Sequence, residues 1–379
     1  MLIRIYVAFI LLGCSVSLAQ EAPEAMDVWL GSGSRKPSTG IYHATLNPKF
    51  GTLSTPTLVA DMRGPGFLAM HPSGSPLYAK SSIDGSTSVA AYAVHRPDGK
   101  VSLTLVNTIE IGSPGTAHVA VDATGRMLLT AQYGGSSVAV FALNTDGSIK
   151  ERTQLIQHEG ASKVVPRRQN RPHPHWVGFS RDNRFVFVPD LGLDQVVIYK
   201  VNLAASKLTR HGVGVVPPGS GPRHMKFHTT AKWAYVLNEL ELSVTVFDYD
   251  TQAGTLIPKQ TVLTVPKEQV AQEVFASASE IRVHPNGRFV YTANRGHDTI
   301  TAFRVNEESG ELTVVEREPI RGATPRNFNI DPTGRWLLAA GQHSHTLTVF
   351  AVDQETGGLT YNRACLPVPS PICVLFEHE

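Results

Sequence analysis

Short apolar runs alternate with polar turns along almost the whole chain. Residues 221–248, GPRHMKFHTTAKWAYVLNELELSVTVFD, show the pattern most clearly. A Gly-Pro turn opens an apolar run headed by Arg223 and His224, and a polar turn follows at His228–Lys232. A second run, Trp233 to Leu237, ends on Asn238 and Glu239. A third, Ser243 to Phe247, alternates apolar and polar. Runs of this length bounded by polar turns predict β-strands, and the alternating one predicts a strand with two different faces.

The layout repeats. A turn signal occurs as HPSG at His71, DATG at Asp122, HPNG at His284 and DPTG at Asp331, with degenerate forms at Ser180 (SRDN) and His228 (HTTA). The starts are 51, 58, 48, 56 and 47 residues apart. Each turn precedes an apolar run (PLYAKS, RMLLTAQ, RFVFVPD, KWAYVLNE, RFVYTANR, RWLLAAGQ) and then an alternating one (SVAAYAV, SVAVFAL, QVVIYKV, SVTVFDY, TITAFRV, TLTVFAV). A fourth segment follows a Gly- or Asp-containing hairpin. Four strands per unit at this period predict propeller blades.

Six units are complete. The tail from Ile372 (ICVLFE) reads as the inner strand of a seventh, and Asp27 to Ala60 supply its other three strands. The expected fold is all-β, a seven-bladed β-propeller of four-stranded antiparallel blades. Its last blade is closed by the N- and C-terminal strands, which removes the exposed edges of an open ring. A β-solenoid is the alternative for such a period, but two end fragments that sum to one unit favour a ring over a capped array. Lys267 to Phe275 is the one short helical pattern, and it is expected in a loop.

The chain has 379 residues, with 34 Lys and Arg against 32 Asp and Glu. No basic stripe suggests nucleic acid as a partner. Residues 1–19 read as a secretory signal peptide. One Arg precedes an apolar stretch too short to span a bilayer easily, and Ser17-Leu18-Ala19 offers a small-residue cleavage site. Residues 20–379 then form one propeller domain, exported to the periplasm or secreted, with no membrane span after cleavage and monomeric. Leu11-Leu12-Gly13-Cys14 resembles a lipobox, so a lipid anchor on Cys14 is the alternative. Cys365 and Cys373 would remain in the mature chain, either paired in an oxidising compartment or as buried thiols.

In a propeller, the polar residues that open inner strands or end second strands reach the channel mouth. PHPHWVGF places His173 and His175 there, and imidazole suits proton transfer near neutral pH. Two surface loop histidines are the bland alternative. GPRHMKF offers Arg223, whose guanidinium grips a carboxylate, phosphate or oxyanion, or makes an interblade salt bridge. VLNELELS offers Asn238 and Glu239, the latter as a general base, a hydroxyl ligand or a solvated turn residue. TANRGHDTI offers Asn294 and Arg295, with His297 and Asp298 assigned to the hairpin turn. ATPRNFN repeats the arginine geometry with Arg326. Tyr133, Asp190 and Gln342 end second strands and could complete a ring of channel residues. No nucleophile elbow, zinc motif, dinucleotide fingerprint or phosphate loop occurs. Acid/base chemistry with arginine anchoring is left, and no cofactor or metal is expected.

The segments from PHPHWVGF, GPRHMKFH, IRVHPNGRFVYTANRG and PRNFNIDPTGRWLLAAGQHSH together resemble the seven-bladed lactonase family, strongest over residues 172–351. That family includes the propeller-type 6-phosphogluconolactonase and a fungal muconate-cyclising enzyme. The resemblance implies an acidic or phosphorylated lactone held by arginines, with catalytic residues falling on His175, Arg223, Glu239 and Arg295. Asn238, Arg326, Tyr133, Asp190 and Gln342 are expected to bind substrate. The expected activity is hydrolysis of a sugar lactone such as 6-phospho-glucono-1,5-lactone, with Glu239 or His175 as general base. A phosphorylated cytosolic lactone fits poorly with a signal peptide, so another sugar lactone is open. The alternatives are muconate-type cyclisation and a non-catalytic binding propeller. A channel blocked by large side chains, with Arg223 tied to the next blade, would favour the last.

Overall fold

The computed structural model describes residues 25–377 except 35, 36, 38, 39 and 84. The signal-peptide and lipobox readings therefore lie outside the described residues. No described helix is long and apolar enough to cross a membrane.

Seven antiparallel sheets form the seven blades. Six are built in sequence order from four consecutive strands. In blade four these are Pro222–Phe227, Trp233–Asn238, Ser243–Asp250 and Thr255–Leu263. Blade seven takes its inner strand, Pro371–Phe376, from the C-terminus and pairs it with Met26–Ser32 from the N-terminus. The ends thus close the ring as expected. The outermost strand of this blade is split into Thr52–Leu53 and Thr57–Asp61. Pro56 sits in the gap, where it has no N–H to give to a ladder. The helical pattern near residue 267 forms a single turn, Lys267–Val270, within a loop.

The apolar residues pack between blades. One cluster joins Tyr235, Leu237, Val244 and Val246 of blade four to Ile281, Val290 and Phe303 of blade five. The repeating turn signal supplies a second clasp. Nε2 of His71, His228 and His284 bonds the carbonyl of Gly125, Gly287 and Gly334, the glycine of the next blade's turn, at 3.2, 2.8 and 2.7 Å. Those glycines have φ of 66°, 76° and 74°. A Cβ at Gly125 would lie 2.1 Å from the His71 ring, so both backbone conformation and space require glycine. Tyrosines add a third link. Tyr78, Tyr235 and Tyr291 donate to carbonyls of Gly147, Gly310 and Gly357 in the outer hairpin of the following blade.

Cys365 is exposed and Cys373 is buried, and both are free thiols. The paired alternative is not formed. Cys373 instead accepts a hydrogen bond from the Leu68 N–H of blade one.

Candidate active site

Two register positions, repeated blade by blade, build the upper mouth of the channel. The first is the residue at or just past the end of the second strand. Paired strands bring it beside the start of the inner strand: Pro222 faces Asn238, and Glu239 N–H donates to Gly221 at 2.7 Å. This position holds Tyr133, Leu191, Glu239, Arg295 and Gln342 in blades two to six. The residue before it holds Gln132, Asp190, Asn238, Asn294 and Gly341. Neighbouring strand residues point to opposite sides, so the two sets have different environments.

The second position is a β-bulge at the head of the inner strand. In blade four the register passes from Pro222–Asn238 to His224–Leu237, leaving Arg223 as the extra residue. In blade six Arg326 is extra between Pro325 and Asn327. In blade three the bridge Pro174–Asp190 is followed by Gly178–Phe187, again with one surplus residue, and His175 follows the paired proline. A bulge breaks strand alternation and re-aims a side chain. His175, Arg223 and Arg326 are therefore equivalent by position, each directly after a proline.

Glu239 is the organising charge. Its Oε1 accepts from Arg168 Nη2 at 2.6 Å, and its Oε2 accepts from Arg223 Nε at 2.9 Å and lies 3.3 Å from Arg295 Nη2. Burial alone would raise its pKa. Arg295 and Arg223 in the first place, with His175 and Arg168, outweigh burial and hold the carboxyl well below its ordinary 4.5. Arg223 has no exposed surface. Its Nη1 donates to the Ser279 carbonyl of blade five and contacts His224 Nε2 at 3.0 Å. Its Nη2 is buried without a partner, as is Nε of Arg295. The Arg295 Nη2 also donates to the Ala278 carbonyl at 2.8 Å.

His175 is buried, and its Nδ1 has no hydrogen-bond partner. Burial, followed by Arg223 and His224, keeps its pKa well below 6.5, so the ring is neutral at physiological pH. It packs edge-on against Tyr133 at 5.5 Å. His173 lies behind that tyrosine, stacked on it at 4.2 Å with Nδ1 on its carbonyl. Among the described residues Arg326 makes no hydrogen bond or ion pair. It is half-buried. Burial and then Arg295 bring its pKa down to about 10, so it stays cationic.

Two expected substrate contacts are corrected. Asn238 is fully buried inside its blade, with Nδ2 bonded to Ser243 and Thr245 hydroxyls at 2.9 Å each. Asn294 repeats that arrangement in blade five with Thr299 and Thr301, so the position is a blade-building one. Asp190 is also fully buried. Its oxygens take His158 Nδ1 at 2.7 Å and the N–H groups of His173 and Gly192. Gln342 is half-buried at the mouth position, with its N–H on the Thr324 carbonyl. His297 and Asp298 serve the turn, Asp298 accepting from Gly296 and Thr324 N–H.

Two further residues reach the mouth. Arg168 comes from the loop between blades two and three, where Gln169 bonds the Leu191 carbonyl and Asp194 and so fixes the loop. Phe275, largely exposed, places its ring 6.0 Å from the Arg295 guanidinium. Below the mouth, Phe67, His118, Trp176 and His224 form a layer across the channel with ring separations of 5.2 to 5.8 Å. Glu280 completes it, bonded to His224 Nδ1 at 3.0 Å and to Asn327.

The family model for the seven-bladed β-propeller lactonases matches residues 27–376. A Bacillus subtilis 6-phosphogluconolactonase is 38% identical over 93% of this chain and 98% of its own length. One from Formosa agariphila is 34% identical, covering 78% and 83%. The structure of the Pseudomonas aeruginosa periplasmic gluconolactonase superposes with a TM-score of 0.84 at 30% identity, covering 93% and 99%. Blade count, ring closure and these similarities agree: the chain belongs to the seven-bladed β-propeller lactonase family.

Proposed function

We propose that the protein is a lactonase, a carboxylic ester hydrolase that opens a sugar lactone to the open-chain acid. The observation that carries the site assignment is Arg326. It is a cation with no hydrogen bond or ion pair among the described residues, half-buried at the mouth near Arg295, Tyr133 and His175. Such a group is suited to hold a substrate anion or a polarised lactone oxygen. The named relatives act on lactones of this kind, which supports the reaction class.

In the proposed reaction, water attacks the lactone carbonyl and a new C–O bond forms. His175, neutral at working pH, accepts the water's proton. The unpartnered donor on Arg295, helped by Arg326, faces the charge that develops on the carbonyl oxygen. The ring C–O bond then breaks, and the proton returns from His175 to the departing alkoxide. Glu239 is a poor base here, because both its oxygens are occupied by arginines and its pKa is depressed. Its proposed part is to position Arg168, Arg223 and Arg295. Arg223, without exposed surface, is likewise a positioning residue.

The two features that would favour a mere binding propeller are both present. Arg223 is tied to Ser279 of the next blade, and large rings cross the channel. The rings lie one layer beneath the mouth, however, and the Arg223 tie leaves Arg326, Tyr133 and Arg168 partly exposed there. The similarity to 6-phosphogluconolactonases and to a periplasmic gluconolactonase supports hydrolysis.

We further propose that residues 1–19 direct export and that the mature enzyme is monomeric. An exported enzyme would meet a plain sugar lactone rather than a phosphorylated cytosolic one. A pH-stat assay of purified protein with glucono-1,5-lactone and its 6-phosphate tests the reading. Faster acid release than the spontaneous rate is expected for at least one. Release at the spontaneous rate with both, alongside turnover of a carboxy-muconate, would replace hydrolysis with cyclisation.

A further inference from the structure

We propose that Phe275 is a substrate-binding residue of the mouth, the apolar platform on which the C–H face of the lactone ring packs. This rests on the lactonase reading above and deepens it.

Phe275 is carried by the connection 264–276 between blades four and five, more than twice as long as the connections 111–115, 216–221 and 320–324 at other joints. Both ends are fixed. Thr264 N–H donates to the Leu242 carbonyl at 2.7 Å, and the Thr264 carbonyl accepts from the Thr301 hydroxyl and Arg317 Nε. At the other end Ser277 pairs with Arg295, and Ala278 N–H donates to the Glu239 carbonyl at 3.1 Å. Just before that pair the chain is pressed onto the mouth. A Cβ at Gly296, the residue after Arg295, would lie 1.7 Å from the Phe275 carbonyl oxygen, and φ there is 90°. Glycine at 296 thus lets the backbone of Phe275 rest directly on the turn that follows Arg295.

Packing of the connection does not account for the phenyl ring. Val265 belongs to the core between blades four and five, and Val270 and Ala276 pack against it. Val274 and Phe275 are not part of that core, and Phe275 is 55% exposed. A large aromatic side chain left in water forfeits the free energy of burial, which a ligand packed on it would recover. Phe275 stands where a ligand would do so. Its ring centroid lies 6.0 Å from the Arg295 guanidinium, whose Nε is buried without a partner. A lactone whose carbonyl oxygen faces Arg295 has its ring beside Phe275. The C–H groups of a sugar ring, made slightly positive by the attached oxygens, are attracted to the negative face of an aromatic ring. The platform touches the body of the substrate and not the reacting carbonyl, so it acts on KM rather than kcat.

The test compares full-length wild type with Phe275→Ala, Phe275→Leu and Phe275→Trp. It uses pH-stat hydrolysis of glucono-1,5-lactone and calorimetric titration with glucono-1,5-lactam, an isostere that resists hydrolysis. Phe275→Ala should raise KM and weaken lactam binding by about three- to tenfold, the value of an aromatic contact, with kcat and melting temperature unchanged. Phe275→Trp should keep wild-type values, and Phe275→Leu should recover only part of the loss. Unchanged KM and lactam affinity in Phe275→Ala overturn the proposal. Full recovery by Phe275→Leu overturns it too, since an aliphatic cover over Arg295 would then suffice, and so does a wild type that binds no lactam. The lactam separates this proposal from the lactonase reading. A wild type that binds lactam without opening the lactone would refute hydrolysis of that substrate, while weaker lactam binding in Phe275→Ala would still support the platform.

Discussion

Replacing Glu239 by Gln removes one negative charge from among three arginines while keeping the side chain's shape. Glu239 is 5% exposed, with contacts of 2.6, 2.9 and 3.3 Å to Arg168, Arg223 and Arg295. Arg223 has no exposed surface, so its charge would be left without a counter-ion inside the protein. Breaking a buried pair in this way costs roughly 3–5 kcal/mol. Arg168 is solvated enough that its contact adds little. At roughly 2 °C per kcal/mol for a chain this long, the melting temperature at pH 7 should fall by about 6–10 °C. The pH dependence has a defined sign. The folded pKa of Glu239 is depressed, so its contribution is present above the unfolded value near 4.5 and is lost as pH falls toward the lower folded value. Each pH unit below 4.5 should close the gap between wild type and Glu239→Gln by about 1.4 kcal/mol. Other carboxylates titrate in both proteins and cancel in the difference. Paired thermal and urea melts from pH 7 to pH 3 measure it. A variant as stable as wild type at pH 7 would refute the arginine clamp. A gap that stays constant down to pH 3 would refute the depressed pKa.

His175→Gln should lower kcat by about 10²–10⁴-fold with melting unchanged, as expected for loss of a proton acceptor. In the wild type the depressed pKa keeps the ring unprotonated below pH 6.5, so kcat/KM should hold steady down to that pH and fall only in more acidic buffer. A fall already centred at pH 6.5 or above would rule His175 out as the base. Arg326→Ala should raise KM for 6-phosphoglucono-lactone or another anionic lactone by about 10–100-fold, the value of a charge-assisted hydrogen bond. A neutral lactone should be affected less, and equal losses would contradict an anion-anchoring role. Asn238→Ala should lower stability by about 1–2 kcal/mol through two lost hydroxyl bonds, with KM unchanged in steady-state assays.

The fold was legible because each blade repeats the same local chemistry. The turn signal at His71, His228 and His284 marks a turn, and its histidine and glycine also join consecutive blades. One motif thus reports both the local structure and the ring. The half-blades at the two ends were legible for the same reason, since each lacks what the other supplies. The split near Pro56 was not foreseen, because a single apolar run conceals where the ladder fails.

The site was legible in part, and the register explains the division. Asn238 and Glu239 are adjacent in sequence, but one turns into the blade and the other into the channel. A strand-end motif read as a unit assigns both to the channel. Asp190 was misplaced in the same way, while Tyr133, Glu239, Arg295 and Gln342 share the mouth position. The recurrence of Pro directly before His175, Arg223 and Arg326 was a usable signal for the bulge, whose extra residue has no fixed partner across the pair. Arg168 and Phe275 lie outside the strands, so periodicity could not find them. Spacing could have. Among the five intervals between turn signals, the two longest, 58 and 56 residues, contain the loops that carry them. In a ring of otherwise similar blades, extra length between repeats goes into loops, since a strand cannot lengthen without leaving its sheet. Both loops return over the mouth, where Arg168 meets Glu239 and Phe275 covers Arg295. The unequal intervals therefore mark the blades whose connecting loops reach the candidate site.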